Sequence, residues 1–196
     1  MSPIIFDFFG VVCSEIAPFW LRRHLDDATA NKVKASIVHQ ADLGGISTGV
    51  LFERLGGLVG LPAATVYGEW LELAKIDQLV FDKITQLKQA GHRVALLTNA
   101  PSDFVRVVLS REDLEHLFDP IIVSSEVGLA KPDPAIYELI CRTMNVDAAD
   151  VIFVDDNPKN VIAATTAGMH AITYKSGADL DDLDRIAQQS VMPPRT

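Results

Sequence analysis

The stretch Ile4-Ile5-Phe6-Asp7-Phe8-Phe9-Gly10 decides the fold. Three apolar residues that end in a carboxylate read as a short strand buried on both faces. The charge at its C-terminal end is costly to bury without a partner or a cation. The same form recurs further along the chain. Val94 to Leu97 runs into Thr98 and Asn99, Ile121 to Val123 into Ser124 and Ser125, and Val151 to Val154 into Asp155 and Asp156. Ala171 to Tyr174 adds a fifth apolar run. Continuous rather than alternating apolar residues predict a parallel sheet covered on both faces.

Helical patterns lie between these runs. Leu79, Val80, Ile84 and Leu87 follow a 3.6-residue period over Leu79 to Ala90, and Gly91 supplies the stop. Asp133-Pro134 and Asn157-Pro158 each read as an N-cap and first helical position. The helices they open carry Ile136, Leu139 and Ile140 in one case and Val161 and Ile162 in the other, with Gly168 ending the second. The alternation predicts an α/β fold, a Rossmann-like parallel sheet flanked by helices. The interval from Cys13 to about Ile76 is too long for one crossover helix. Within it Phe19 to Leu25, Val33 to Val38, Leu51 to Leu58 and Val66 to Leu73 are helical in pattern, with breaks at Gly44, Gly45 and Pro62. A small inserted α-helical cap is the simplest reading, giving a core domain from 1–13 and 77–196 and a cap from 14–76. Helical spacing assigns Phe19, Trp20, Phe52 and Trp70 to the packing of that cap, and the tail from Val191 to Thr196 is expected to fray.

A formal net charge of −9 and a pI near 4.9 argue against nucleic acid or an anionic membrane as partner. No run of about 18 apolar residues and no basic leader followed by a cleavage-type site is present, so a cytoplasmic location is expected. Cys13 and Cys141 have no metal-type spacing and read as small buried apolar residues. The acidic run Asp179, Asp181, Asp182 and Asp184 reads as a solvated helix face. No pattern in the chain specifies an oligomeric state.

If the strands that end at Asp7 and at Asp155-Asp156 are neighbours, three carboxylates meet at one end of the sheet. Converging hard oxygen ligands suit Mg²⁺, which keeps water and phosphate oxygens in its coordination shell. Lys131 could bring compensating positive charge and Thr98 a hydroxyl donor to a phosphoryl group.

Taken in order, Asp7-Phe8-Phe9-Gly10-Val11-Val12, Leu97-Thr98-Asn99, Lys131-Pro132-Asp133-Pro134 and Val154-Asp155-Asp156-Asn157 resemble the four motifs of the haloacid dehalogenase-like superfamily over essentially the whole chain. The resemblance is nearest to phosphatases like the N-terminal domain of soluble epoxide hydrolase and to the bacterial glucose-1-phosphate phosphatase group. It implies Asp7 as nucleophile, Thr98 and Asn99 as phosphate-binding residues, and Lys131 as the cation that steadies nucleophile and substrate. It also implies Asp7, Asp156 and the Phe9 backbone carbonyl as Mg²⁺ ligands, with Asp155 behind them near Lys131. The insertion matches the position of the family's helical C1 cap.

One residue departs from that pattern. Phosphatases of the superfamily usually carry a second aspartate two positions after the nucleophile, as general acid and base, and here that position is Phe9. Loss of that proton transfer costs roughly 10²–10⁴-fold. Three explanations follow: a substrate with a good leaving group, a replacement acid from the cap, or binding without turnover. His24 and His39 lie in the cap and could replace the acid, although a lone helical histidine is ordinarily a surface or packing residue. The expected function is hydrolysis of a small phosphomonoester, such as a sugar phosphate, through an aspartyl-phosphate. The alternatives are a 2-haloacid dehalogenase, whose motif also has an aromatic residue at that position, and a non-catalytic phospho-ligand-binding protein.

Overall fold

The computed structural model describes residues 2–189, so the expected fraying of 191–196 lies outside the described residues. β1 (Ile4–Phe6), β2 (Val94–Thr98), β3 (Ile121–Val123), β4 (Ile152–Asp155) and β5 (His170–Thr173) form one sheet in the order β3-β2-β1-β4-β5. All four pairings are parallel. β1 is central, and successive residues serve opposite layers. Ile4 and Phe6 join one apolar cluster with Val80 and Ile84 of α6 (Gln78–Gln89) and Val105 and Val108 of α7 (Ser102–Arg111). Ile5 joins the other, with Ile136 and Ile140 of α9 (Pro134–Met144), which follows the short α8 (Ser124–Val127), and Ala164 of α10 (Pro158–Thr166). This is the period-2 alternation of a strand covered on both faces.

Between β1 and α6 the insertion is helical. It comprises α1 (Ala17–His24), α2 (Asp27–Val33), a π-helical continuation over Lys34–Val38, α3 (His39–Asp42), α4 (Thr48–Val59) and α5 (Ala63–Leu73). Outgoing and returning chain pair at the base: Ser14 N donates to Lys75 O at 2.8 Å and Asp77 N to Val12 O at 2.9 Å. Trp20, Phe52 and Trp70 are buried as expected, and Phe52 and Trp70 pack edge-on against Phe104 of α7 at centroid distances of 6.0 and 5.7 Å. The insertion therefore shares one apolar core with the sheet layer beneath it. Phe19 differs from expectation: it is 62% exposed, because it sits about 100° around α1 from Trp20, which takes the inward position.

Two further expectations shift. Ile162 is 66% exposed, because α10 turns Asn160 and Ala164 inward instead, for a reason that lies in the site. In the acidic run, Asp179 accepts hydrogen bonds from the Lys175 and Ser176 backbone amides, each at 2.8 Å, which cap the start of α11 (Asp179–Gln189), whereas Asp181 and Asp182 are solvated. Among the described residues no single helix is long and apolar enough to cross a membrane. α4 and α5 reach that length only together, bent by 103°.

The paired cap signals hold at α9, where Asp133 Oδ1 accepts from Ala135 N at 2.9 Å and Pro134 opens the helix. Asp133→Ala is expected to destabilise the protein by about 1 kcal/mol. Urea denaturation with an unchanged midpoint would show that the cap contributes nothing.

Candidate active site

The order of the sheet reverses at β1. The chain moves outward through β2 and β3 and then returns to place β4 on the other side of β1, which opens a crevice at the C-terminal ends of β1 and β4. Asp7 N donates to Val154 O at 2.9 Å, so Asp7 stands beside Asp155 and Asp156. Lys131, from the loop before α9, enters this crevice. Its ammonium lies 2.8 Å from Asp7 Oδ1 and 2.7 Å from Asp155 Oδ2, and the side chains of Lys131 and Asp155 are fully buried. Asp155 also accepts from Asn157 N at 2.8 Å and from Asn160 Nδ2 at 3.0 Å on Oδ1. Its oxygens are thus committed to protein donors. Asp156 carries no such set of partners among the described residues, and its carboxylate lies against Gly10. A Cβ at Gly10 would stand 2.4 Å from Asp156 Cγ, and the Gly10 φ of +89° independently favours glycine.

Sequence reasoning missed Asn160 and the role of Gly10. Asn160 is held by Tyr137, whose hydroxyl donates to the Asn160 carbonyl at 3.0 Å, and its amide orients Asp155. The available signal was a second asparagine three residues after the capping Asn157, on the same side of the first helical turn.

Thr98 ends β2 fully buried, and its hydroxyl has no hydrogen-bond partner among the described residues. A buried orphan hydroxyl is uncommon and calls for a ligand. Asn99, expected as a phosphate-binding residue, borders the cavity and commits its side-chain amide to the Lys131 backbone. Its Nδ2 donates to Lys131 O at 2.7 Å and its Oδ1 accepts from Lys131 N at 2.9 Å, a two-point clamp that fixes where the lysine enters. Above these groups lies a cavity of about 390 Å³. Its floor carries Asp7, Lys131 and Asp156. Its apolar wall is Phe9, Phe104 and Trp70, and the insertion contributes Lys34, His39 and Asp42. Phe9 packs on Phe8 and Phe104 with centroids 4.9 and 6.2 Å away. His39 borders the cavity, whereas His24 is absent from its lining and lies with Nε2 3.4 Å from a Glu69 carboxylate oxygen.

The sequence model of the haloacid dehalogenase-like hydrolases matches residues 3–168. The chain belongs to this family. It is 31% identical over 133 residues to a sesquiterpene phosphatase of Aspergillus oryzae, covering 66% of this chain and 68% of that protein. It is 33% identical over 112 residues to a phosphoglycolate phosphatase of Pasteurella multocida, covering 57% of this chain and 50% of that protein. The chain thus spans about half the length of several curated relatives it matches. A HAD family enzyme of Bacteroides thetaiotaomicron, solved in complex with magnesium and inorganic phosphate, shares the fold with a TM-score of 0.76, 20% identity, and coverage of 93% of this chain and 98% of that one. An L-2-haloacid dehalogenase shares it with a TM-score of 0.69, 20% identity, and coverage of 96% and 99%.

In this haloacid dehalogenase-like hydrolase the site is electrostatically unbalanced. Burial raises the Asp7 carboxyl well above the usual carboxylate range. Lys131 opposes that shift, and Asp155 and Asp156 add to it. Asp156 is pushed up to about 6, by burial first and then by Glu15 and Asp155. Burial alone would lower the Lys131 ammonium, but Asp155 and Asp7 outweigh it and hold the lysine above its ordinary value, so it stays charged. Asp7, Asp155 and Asp156 each offer an oxygen within 4.8 Å of the others, an arrangement that could hold a metal ion.

Removing the ammonium while keeping the carboxylates should be severe. Lys131→Met leaves Asp7 and Asp155 buried together without a countercharge, and a loss of about 3–5 kcal/mol is expected. Chemical denaturation near neutral pH checks this, and a variant as stable as the parent would mean that the carboxylates are already neutral there.

Proposed function

We propose that this hydrolase is a Mg²⁺-dependent phosphatase that transfers the phosphoryl group of a small phosphomonoester to Asp7 and then to water. The observation that carries the reading is the Thr98 hydroxyl, buried and without a partner among the described residues, at the strand end next to Asp7. A phosphoryl group has oxygens to accept from it and to face Lys131. Phosphatases among the relatives support the same reaction class.

The donor set fits Mg²⁺. Asp7 and Asp156 supply anionic oxygens, and the Phe9 carbonyl accepts no backbone hydrogen bond among the described residues, which leaves it available as a third ligand. When bound, Mg²⁺ supplies charge neutralisation between phosphoryl oxygens and the carboxylates. Asp7 attacks phosphorus as its carboxylate, and Thr98 donates to a phosphoryl oxygen. Lys131 steadies Asp7, and Asp155, itself held by Asn157 and Asn160, keeps the ammonium aimed there. Asn99 positions Lys131 through its backbone. In this reading 1–13 and 77–196 form the catalytic core, and 14–76 is the cap over the leaving group. The wall of Phe9, Phe104 and Trp70 favours an apolar organic ester over the sugar phosphate suggested by the glucose-1-phosphate phosphatase resemblance. The likeness to a sesquiterpene phosphatase agrees with that preference.

A dehalogenase attacks carbon with a carboxylate and needs no metal. Three carboxylates facing one ammonium are poorly motivated for that chemistry.

Hydrolysis of p-nitrophenyl phosphate is expected to require Mg²⁺ and to fall about 10⁴-fold or more in Asp7→Asn. Steady-state assays with and without a chelator check this, and metal-independent halide release from a 2-haloacid would establish the dehalogenase instead. In calorimetric titration, Asp156→Ala is expected to weaken Mg²⁺ binding more than Asp155→Ala does, since the Asp155 oxygens are committed to protein donors. The reverse order would refute Asp156 as the direct ligand.

A further inference from the structure

The cavity contains a carboxyl that the reaction above does not use. Asp42 closes α3, the last turn of the contiguous helical segment that begins at Asp27, and borders the same space as Asp7, Phe9 and Asn99. Its backbone is fastened to the core. Ser124 Oγ donates to the Asp42 carbonyl and accepts from Ala100 N at 3.0 Å, which places Asp42 two hydrogen bonds from the residue that follows Thr98-Asn99. The next residues seal the contact. A Cβ at Gly44, where φ is +73°, would stand 2.5 Å from the Ser125 carbonyl oxygen, and Ser125 Oγ in turn accepts from Ser102 N at 2.8 Å.

The Asp42 carboxylate itself has no hydrogen bond or ion pair among the described residues. Lys34 from the π-helical turn and Glu15 from the segment before α1 act on it in opposite senses, and His39, Asp7, Asp156 and Lys131 border the same cavity. Burial outweighs the Lys34 contribution and pushes the carboxyl up to about 7. A carboxyl raised toward neutrality can both give and take a proton near the pH at which general acid and base catalysis is most effective.

We infer that Asp42, reaching the site from the cap, is the general acid and base that the phenyl ring at position 9 cannot be. The inference rests on the phosphatase reading. In the first step the bond from phosphorus to the leaving oxygen breaks as the bond to Asp7 Oδ forms, and the Asp42 proton passes to the leaving oxygen, releasing an alcohol. In the second, water gives a proton to the Asp42 carboxylate as its oxygen bonds to phosphorus. The bond to Asp7 then breaks, releasing phosphate and restoring both carboxyls. Phe9, stacked on Phe104, lines the apolar side of the same space, so the acid and the apolar part of the ester approach from different walls.

The test is kcat/KM of the Mg²⁺-loaded full chain for two esters, p-nitrophenyl phosphate and hexyl phosphate. The first leaves as a weak base and the second needs a proton. Asp42→Asn is expected to reduce hexyl phosphate hydrolysis on the order of 10²-fold and p-nitrophenyl phosphate hydrolysis less than about tenfold. His39→Gln, which alters another proton carrier at the cavity, is expected to leave the ratio unchanged.

The pH dependence follows from the need for a protonated acid as the leaving oxygen departs. Above about pH 7 that proton is lost, so the hexyl to p-nitrophenyl ratio falls as pH rises in the native protein. The ratio should stay flat in Asp42→Asn. The same variant removes a half-buried charge that is unfavourable above that pH, so its Tm at pH 8 should equal or exceed the parent's, and Asp42→Ser serves as a second replacement if it does not fold.

Equal loss on both esters, no loss, a selective loss in His39→Gln instead, or a native protein active on the aryl ester alone would each overturn the inference. Of these outcomes, no loss beside an active native protein leaves the phosphatase reading standing. A native protein that binds Mg²⁺ but hydrolyses neither ester overturns both.

Discussion

Lys131 carries an ammonium into a position where neither it nor Asp155 has any exposed side-chain surface, and much of the site's geometry keeps that charge paired. Two carboxylates buried side by side would repel each other and lose their hydration, so neither could remain ionised without it. The pairing in turn dictates its neighbours. Asn99 clamps the Lys131 backbone from the end of β2, while Asn157 and Asn160 fill the remaining lone pairs of Asp155 from the first turn of α10. That demand explains why α10 turns an asparagine inward and leaves Ile162 in solvent.

The result is a division of labour between adjacent aspartates. Asp155 is saturated with protein donors and acts through Lys131, whereas Asp156 faces the cavity with a carboxylate that burial and its acidic neighbours make hard to ionise alone. Gly10 permits this, because any side chain there would occupy the space of the Asp156 carboxylate. The site thus gathers three carboxylates around a single ammonium, an arrangement that could hold a cation.

Over this floor the insertion does more than cover. Its aromatic residues merge with Phe104 into one apolar core, and at Asp42 and Gly44 it touches the core strand ends directly. An insertion fastened at these points contributes part of the cavity wall. Its lining combines the aromatic rings of Phe9, Phe104 and Trp70 with the ionisable side chains of Lys34, His39 and Asp42.

Much of this was legible in the chain. Apolar runs that end in polar residues located all five strands to within a residue or so, since strands buried on both faces leave an uninterrupted pattern. The capping pairs Asp133-Pro134 and Asn157-Pro158 marked helix starts because their signals are local. The ordered motifs brought Asp7, Thr98, Lys131, Asp155 and Asp156 to notice before any contact was known. What the sequence could not specify were relations across the sheet and between insertion and core. Nothing local reveals that Asn99 is spent on holding Lys131, that Asn160 serves Asp155, or that Phe19 faces solvent while Trp20 faces inward. Asp42 makes the point most sharply. In the sequence it is one of many aspartates, and only the hydrogen bond that its carbonyl accepts from Ser124, with desolvation at the cavity wall, brings it to the cavity that Asp7 also lines and changes its acidity. Secondary structure and motif identity follow from nearest neighbours along the chain, whereas desolvation and charge pairing depend on groups that only folding brings together.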